Sequence, residues 1–366
     1  MIDFSIKKIV LMTVCSFIIS VFIMPFIMKV ANHIGAIDVP KDTRRVHTKP
    51  IPRLGGLGIF IAFLFGYMFF GVQSVTMNAI LIGSFIIIIT GIFDDIKPIP
   101  SKVKLLMQVI AALVVMLFGH IRLQDITALG FYIDFGIFSY PLTVFFIVAC
   151  INIINLIDGL DGLSGGIASI FFLTVGIISI YSGNSLILEI TLAFLMLGST
   201  LGFLVHNFYP AKIFAGDTGS MFMGYMISII ALLGFKGTTL ISFFVPLLVL
   251  AIPILDTLFA IIRRLIKKQP IFEADKEHLH HQLLNITSSQ RKTVLIIYSI
   301  DLLFAAASIF YFLKDPFIGK IVYILLLIII VWLVCCTTII SKKNKETFDK
   351  IGKRFKDKVK KNKTKK

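Results

Sequence analysis

The sequence predicts an all-α polytopic membrane protein, and three observations carry that expectation. The chain of 366 residues is 57% hydrophobic with a mean hydropathy of +0.94. Its apolar residues fall in repeated runs of roughly 16–23, each enough to cross about 30 Å of hydrocarbon as a helix. Its Lys and Arg gather in alternate connections between those runs, as orientation signals do. A soluble domain of this size does not carry so much apolar sequence, so lipid must act as solvent for much of the chain.

About eleven spans are expected, at 10–28, 54–71, 77–93, 103–121, 140–157, 165–180, 188–205, 219–235, 242–262, 294–313 and 318–340. No small-residue cleavage pattern follows the first run, so it is expected to be a retained helix. Between the fourth and fifth spans, residues 122–139 alternate apolar and polar positions (Phe131, Ile133, Phe135) around Gly130 and Gly136, which reads as a short external hairpin. Cys15, Cys150, Cys335 and Cys336 all fall within spans without metal spacing and read as packing residues.

If the connection at 29–53 is cytoplasmic, that face collects about 30 of the 36 Lys and Arg, which places the amino terminus outside and the carboxyl terminus in the cytoplasm. Two regions follow: an integral-membrane domain over 1–340 and a basic cytoplasmic tail over 341–366, whose charge suits anionic lipid. The net charge of +16 clusters beside spans, so it does not point to a nucleic-acid partner. No internal repeat is visible.

Five carboxylates, Asp94, Asp95, Asp158, Asp161 and Asp217, lie at or just beyond span ends on the face so assigned. Adjacent carboxylates at a hydrocarbon boundary cost several kcal/mol unless a cation or donors compensate them. The Asp94–Asp95 pair therefore suits metal ligation or proton transfer. Asn152, Asn155 and Asp158 are three apart and line one helical stripe that runs into the Asp158-Gly159-Leu160-Asp161-Gly162 turn. Their oxygens are hard donors suited to Mg²⁺, and the glycines let backbone N–H groups approach a ligand. The run Phe214-Ala-Gly216-Asp217-Thr-Gly-Ser220 opens a span at a helix amino terminus, a natural phosphate-facing position. There Asp217 is a candidate metal ligand, and Phe214 either stacks a base or marks the membrane interface.

Two polar connections complete the candidate site. His278-Leu-His280-His281 lacks the ligand spacing of a zinc centre and fits hydrogen bonding to phosphate or sugar better. The run Arg44-Arg45-Val-His47-Thr-Lys49-Pro-Ile-Pro52-Arg53-Leu-Gly55-Gly56 is basic and stiffened by proline; Arg45, His47 and Arg53 suit a phosphorylated lipid head group, and positive-inside anchoring accounts equally well for any single Arg there. Asp256 and Asp301 fall inside spans, and nothing in the sequence names their partners.

These motifs, in this order, resemble the polyprenyl-phosphate N-acetylhexosamine-1-phosphate transferases, most of all the branch that uses undecaprenyl phosphate and N-acetylglucosamine. The resemblance covers about residues 10–340. It implies Mg²⁺ (with Mn²⁺ as a substitute) at Asp217 and Asn155. It implies nucleotide recognition by Asp158, Gly159, Leu160 and Asp161, with Phe214 stacking on uracil, and places Lys104 near the diphosphate. Asp94 matches a proposed base, with Asp95 beside it, and His280 and His281 match a loop that closes on the sugar phosphate. The substrates implied are UDP-GlcNAc and undecaprenyl phosphate, in a plasma-membrane enzyme with its site on the cytoplasmic face and, as for many relatives, a homodimer.

The sister branch transfers phospho-MurNAc-pentapeptide and carries three contiguous histidines. The His278-Leu-His280-His281 spacing favours the GlcNAc branch. An ion-coupled transporter would need acids near the midplane and a repeat. A polyprenyl synthase would need Asp-Asp-x-x-Asp, where Pro98 stands instead.

Overall fold

The computed structural model describes residues 6–40, 49–128, 131–181, 187–234 and 286–313, with a few single positions beyond these. Nine helices lie within them: α1 Ile6–Ile34, α2 Gly55–Phe70, α3 Val75–Ile96, α4 Ser101–Phe118, α5 Ser139–Ile157, α6 Leu163–Tyr181, α7 Ile187–Asn207, α8 Gly216–Gly234 and α9 Gln290–Leu313. Eight are long and apolar enough to cross a membrane, and α2 is a shorter apolar helix. Each expected span from the first to the eighth, and the tenth, coincides with one of these helices. Those expected at 242–262 and 318–340 lie almost wholly outside the described residues, as does the tail at 341–366.

The helix α8 is the centre of the bundle. It packs against α2, α3, α5, α6 and α7, and nearly all of it is buried. Small residues make that possible. A Cβ on Gly56 of α2 would lie 2.1 Å from the Gly219 nitrogen of α8, and one on Gly91 of α3 would lie 2.3 Å from the Thr218 Cα. Close approach of this kind replaces the hydrophobic drive that helices lose in lipid. On the periphery Phe22 of α1, Phe69 of α2 and Phe145 of α5 stand 78%, 74% and 71% exposed, as side chains facing hydrocarbon would.

Two small antiparallel sheets decorate the bundle. The first pairs β1 (Ile37–Asp38) with β2 (Ile51–Pro52). The second pairs β3 (Asp125–Ala128) with β4 (Phe131–Asp134), Asp125 opposite Asp134, which is the hairpin expected from the alternation. Successive helices run up and down, so the ends of α1, α3, α5 and α7 meet the starts of α2, α4, α6 and α8 at one end of the bundle. The β3–β4 hairpin follows α4 at the other end.

Candidate active site

The loop between α7 and α8 is laced to the strand before α2. Phe214 N–H donates to the Pro52 carbonyl at 2.8 Å, and Gly55 and Gly56 donate back to the carbonyls of Phe214 and Ala215 at 2.9 Å. Gly216 then starts α8 at φ +69°, where a Cβ would lie 2.1 Å from the Arg53 carbonyl. This interlock sets Arg53 and Asp217 side by side.

Asp95 closes the amino end of α8. Its Oδ1 accepts from Asp217 N–H at 2.9 Å, and its Oδ2 accepts from Thr218 N–H at 3.0 Å and Thr218 Oγ1 at 2.7 Å. A carboxylate at the carboxyl end of its own helix is unfavourable, and the N–H groups of a second helix offset that. Asp94, its neighbour, turns elsewhere: Oδ1 accepts from Ile99 N–H at 2.8 Å and Oδ2 from Lys104 Nζ at 2.8 Å.

Lys104 also reaches Asp217 Oδ2 at 2.6 Å. Arg53 Nη2 lies 3.5 Å from both Asp95 Oδ1 and Asp217 Oδ1. Burial works against the Arg53 charge, but Asp95, Asp217, Asp38 and Asp158 outweigh it and raise its pKa above the ordinary value.

On the facing helix, Asn155 Nδ2 donates to Ser220 Oγ at 2.8 Å, which ties the carboxyl end of α5 to the first turn of α8. Asn152 instead donates to Gln108 Oε1 of α4 at 2.7 Å and to the Val148 carbonyl at 2.8 Å. Asp158 caps the end of α5 and accepts from Ser164 Oγ. Burial pushes its pKa up to about 6; Ser164 and Arg53 hold it down, while Asp217 and Asp161 add to the rise. Asp161 Oδ2 accepts from Ala211 N–H at 2.9 Å. Gly159 is exposed, Phe214 is half-buried, and Leu160 sends its side chain into the core.

Arg53, Asp94, Asp95, Lys104, Asn155, Asp158, Asp161 and Asp217 are thus brought to one end of the bundle. Arg45, His47, His278, His280 and His281 lie outside the described residues, as does Asp256. Sequence reasoning missed Thr218, Ser220, Ser164, Gln108, Asn207 and Tyr298. For Gln108 a signal existed, because it stands four residues after Lys104 and so shares its helix face. Asp301 is fully buried in α9, and neither of its carboxylate oxygens is hydrogen-bonded to a described residue.

Among the described residues no three His, Cys, Asp or Glu side chains converge as a ready-made metal cage. The charge balance nonetheless fits a divalent cation. Among the described residues Asp38, Asp94, Asp95, Asp158, Asp161 and Asp217 share one electrostatic network with the cations Arg53 and Lys104, so acids outnumber bases there. Asp217 and the Asn155 amide are oxygen donors on facing helices, the donor type a hard cation prefers.

Fold and site together define a multi-pass membrane protein with acids and bases interleaved at one end of its helical bundle. Comparison with known proteins supplies its family. The glycosyl transferase family 4 profile matches residues 77–235. A probable undecaprenyl-phosphate N-acetylglucosaminyl 1-phosphate transferase of Bacillus subtilis (strain 168) is 41% identical over 312 residues, 84% of this chain and 86% of the relative. A decaprenyl-phosphate N-acetylglucosaminephosphotransferase of Mycobacterium tuberculosis (strain ATCC 25618 / H37Rv) is 32% identical over 347 residues, 84% of each chain. An undecaprenyl-phosphate alpha-N-acetylglucosaminyl 1-phosphate transferase of Salmonella typhi is 29% identical over 301 residues, 78% of this chain and 81% of the relative. The chain belongs to the polyprenyl-phosphate N-acetylhexosamine-1-phosphate transferase family, within glycosyl transferase family 4.

Proposed function

We propose that this protein transfers N-acetylglucosamine 1-phosphate from UDP-GlcNAc to undecaprenyl phosphate. A lipid phosphate oxygen bonds to the sugar-bearing phosphorus, the bond from that phosphorus to the bridging oxygen breaks, and UMP leaves with the electron pair. The observation that carries the reading is the Asp94–Lys104–Asp217–Arg53–Asp95 chain of contacts at one end of the bundle. One substrate is too apolar to leave the bilayer and the other too polar to enter it, so a site at helix ends suits both. An ion-coupled transporter would instead carry such acids near the midplane.

Asp217 and Asn155 would hold Mg²⁺, with Mn²⁺ as a substitute. When bound, the ion would neutralise diphosphate charge and stabilise the leaving phosphate. Lys104 and Arg53 add positive charge on either side of Asp217. Asp158 and Asp161 read the nucleoside from the turn between α5 and α6, and Phe214 stacks on its base. A phosphate monoester has a second pKa of about 6, so the lipid phosphate needs little help to ionise. Asp94, held by Lys104 and the Ile99 N–H, takes its last proton. Asp95 serves through its cap on α8, which fixes Asp217.

In this reading the site faces the cytoplasm at the plasma membrane, and the product starts teichoic acid or another surface polysaccharide. The working assembly is a homodimer, which a molar-mass measurement of the purified protein tests. The names of the relatives, all N-acetylglucosamine transferases, support this donor over a MurNAc-pentapeptide one. Purified protein is incubated with undecaprenyl phosphate, Mg²⁺ and each UDP-sugar in turn, and UMP release is measured. Release with UDP-GlcNAc is expected; release only with the MurNAc-pentapeptide donor would place the chain in the sister branch.

A further inference from the structure

The helix α9 lies beyond the residues that the family profile matches, yet one of its side chains reaches the turn between α5 and α6. The Tyr298 hydroxyl donates to the Gly162 carbonyl. Its ring lies over Gly166, where a Cβ would come within 1.9 Å of it. The other face of the same residue is held from α7: Gly162 N–H donates to Asn207 Oδ1 at 3.0 Å, and Asn207 Nδ2 donates to the Ile213 carbonyl at 2.8 Å.

Gly162 sits at φ +81°, directly after Asp161 and before α6. A glycine in that conformation is locally soft, so its peptide orientation must be set by its partners. That orientation decides where Asp161 meets Ala211 N–H and where Ser164, two residues on, meets Asp158. The bond is part-buried, and an O–H···O bond partly shielded from water restrains such a peptide more firmly than a fully exposed one.

We propose that Tyr298 is a positioning residue for the donor nucleotide: its hydroxyl fixes the Gly159–Gly162 turn in the shape that presents Asp158 and Asp161 to the nucleoside. This rests on the reading of that turn under the proposed function.

The test is Tyr298→Phe in the full-length protein, which keeps the ring seated on Gly166 and removes only the donor. Asp161→Asn is assayed alongside. The expected result for Tyr298→Phe is a KM for UDP-GlcNAc raised about fivefold, the effect of one lost hydrogen bond. Its kcat and its KM for undecaprenyl phosphate stay within twofold, and the thermal shift produced by UMP shrinks. A Tyr298→Phe enzyme that loses thermal stability and kcat together, with the KM for UDP-GlcNAc unchanged, would overturn the inference. If Asp161→Asn raises that KM and Tyr298→Phe does not, the role of Tyr298 falls alone. If neither variant moves it, the nucleotide reading of the turn falls and takes Tyr298 with it.

Discussion

Asp95, the penultimate residue of α3, caps α8 at Thr218 through both the backbone N–H and the side-chain hydroxyl. The contact is fully buried, so its loss leaves donors unpaired. Thr218→Val should lower stability by about 1 kcal/mol, and Asp95→Ala, which strips three bonds, by about 2–4 kcal/mol. Thermal unfolding in detergent checks both. If Asp95 instead acted only in chemistry, Asp95→Ala would lose turnover at an unchanged melting temperature.

Lys104 occupies the space beside Asp217 that a cation would share. Replacing it with methionine removes a like charge from the approach of a divalent ion. Lys104→Met should therefore bind Mn²⁺ about 3- to 10-fold more tightly, a repulsion of roughly 1 kcal/mol, while turnover falls because the diphosphate loses a counter-charge. Asp217→Asn should bind Mn²⁺ at least about tenfold more weakly, since its carboxylate is the charged ligand. Electron paramagnetic resonance of Mn²⁺ titrated into each purified variant reads this without turnover. Weaker binding by Lys104→Met would mean that the lysine supports the ion instead of competing with it.

The nine spans that fall on described helices were legible because hydropathy and length speak directly about the bilayer, and the β3–β4 hairpin because alternation has a period of two. The site was legible as a list of acids, not as a set of partnerships. Asp94 and Asp95 are neighbours in sequence yet face different helices, one meeting Lys104 and the other Thr218. The stripe Asn152–Asn155–Asp158 is likewise divided among Gln108, Ser220 and Ser164. Such pairings depend on which helices adjoin, which periodicity within one helix does not encode. Tyr298 was invisible for the same reason: an aromatic in an apolar run reads as packing until its hydroxyl is found on the Gly162 carbonyl.

Asp158 is half-ionised near pH 6 because burial raises its pKa, with Asp217, Asp161 and Arg53 as the charged groups acting on it. Two consequences follow with opposite signs. The folded state holds a proton that the unfolded chain releases near pH 4, so this group's contribution to stability declines as pH rises from about 4 to 6 and then levels. Nucleotide binding runs the other way if the carboxylate accepts from the base. Uridine, which carries no phosphate to titrate in this range, should bind more tightly as pH rises from 5 to 7, with a midpoint near 6, and Asp158→Asn should flatten that profile. Calorimetric titration of uridine across this range checks it, and an unaltered profile in the variant would assign the dependence to another group.

His206 of α7 mends a break in α1. Pro25 has no N–H, so the Val21 carbonyl one turn earlier loses its partner within the helix. His206 Nε2 lies 3.0 Å from that oxygen. A carbonyl can only accept, so Nε2 carries the proton, and the bond joins α1 to α7 near the end of the bundle that holds the site. In lipid a freed carbonyl is costly, and a neighbouring helix is the usual source of relief. His206→Ala should destabilise the protein by about 1 kcal/mol. The decisive measurement is a double-mutant cycle with Pro25→Ala, which restores the N–H and lets α1 satisfy Val21 by itself. In that background His206→Ala should cost little, because the bond it removes is no longer needed. Equal costs in both backgrounds would show that His206 contributes by packing and not by satisfying the carbonyl that Pro25 leaves open.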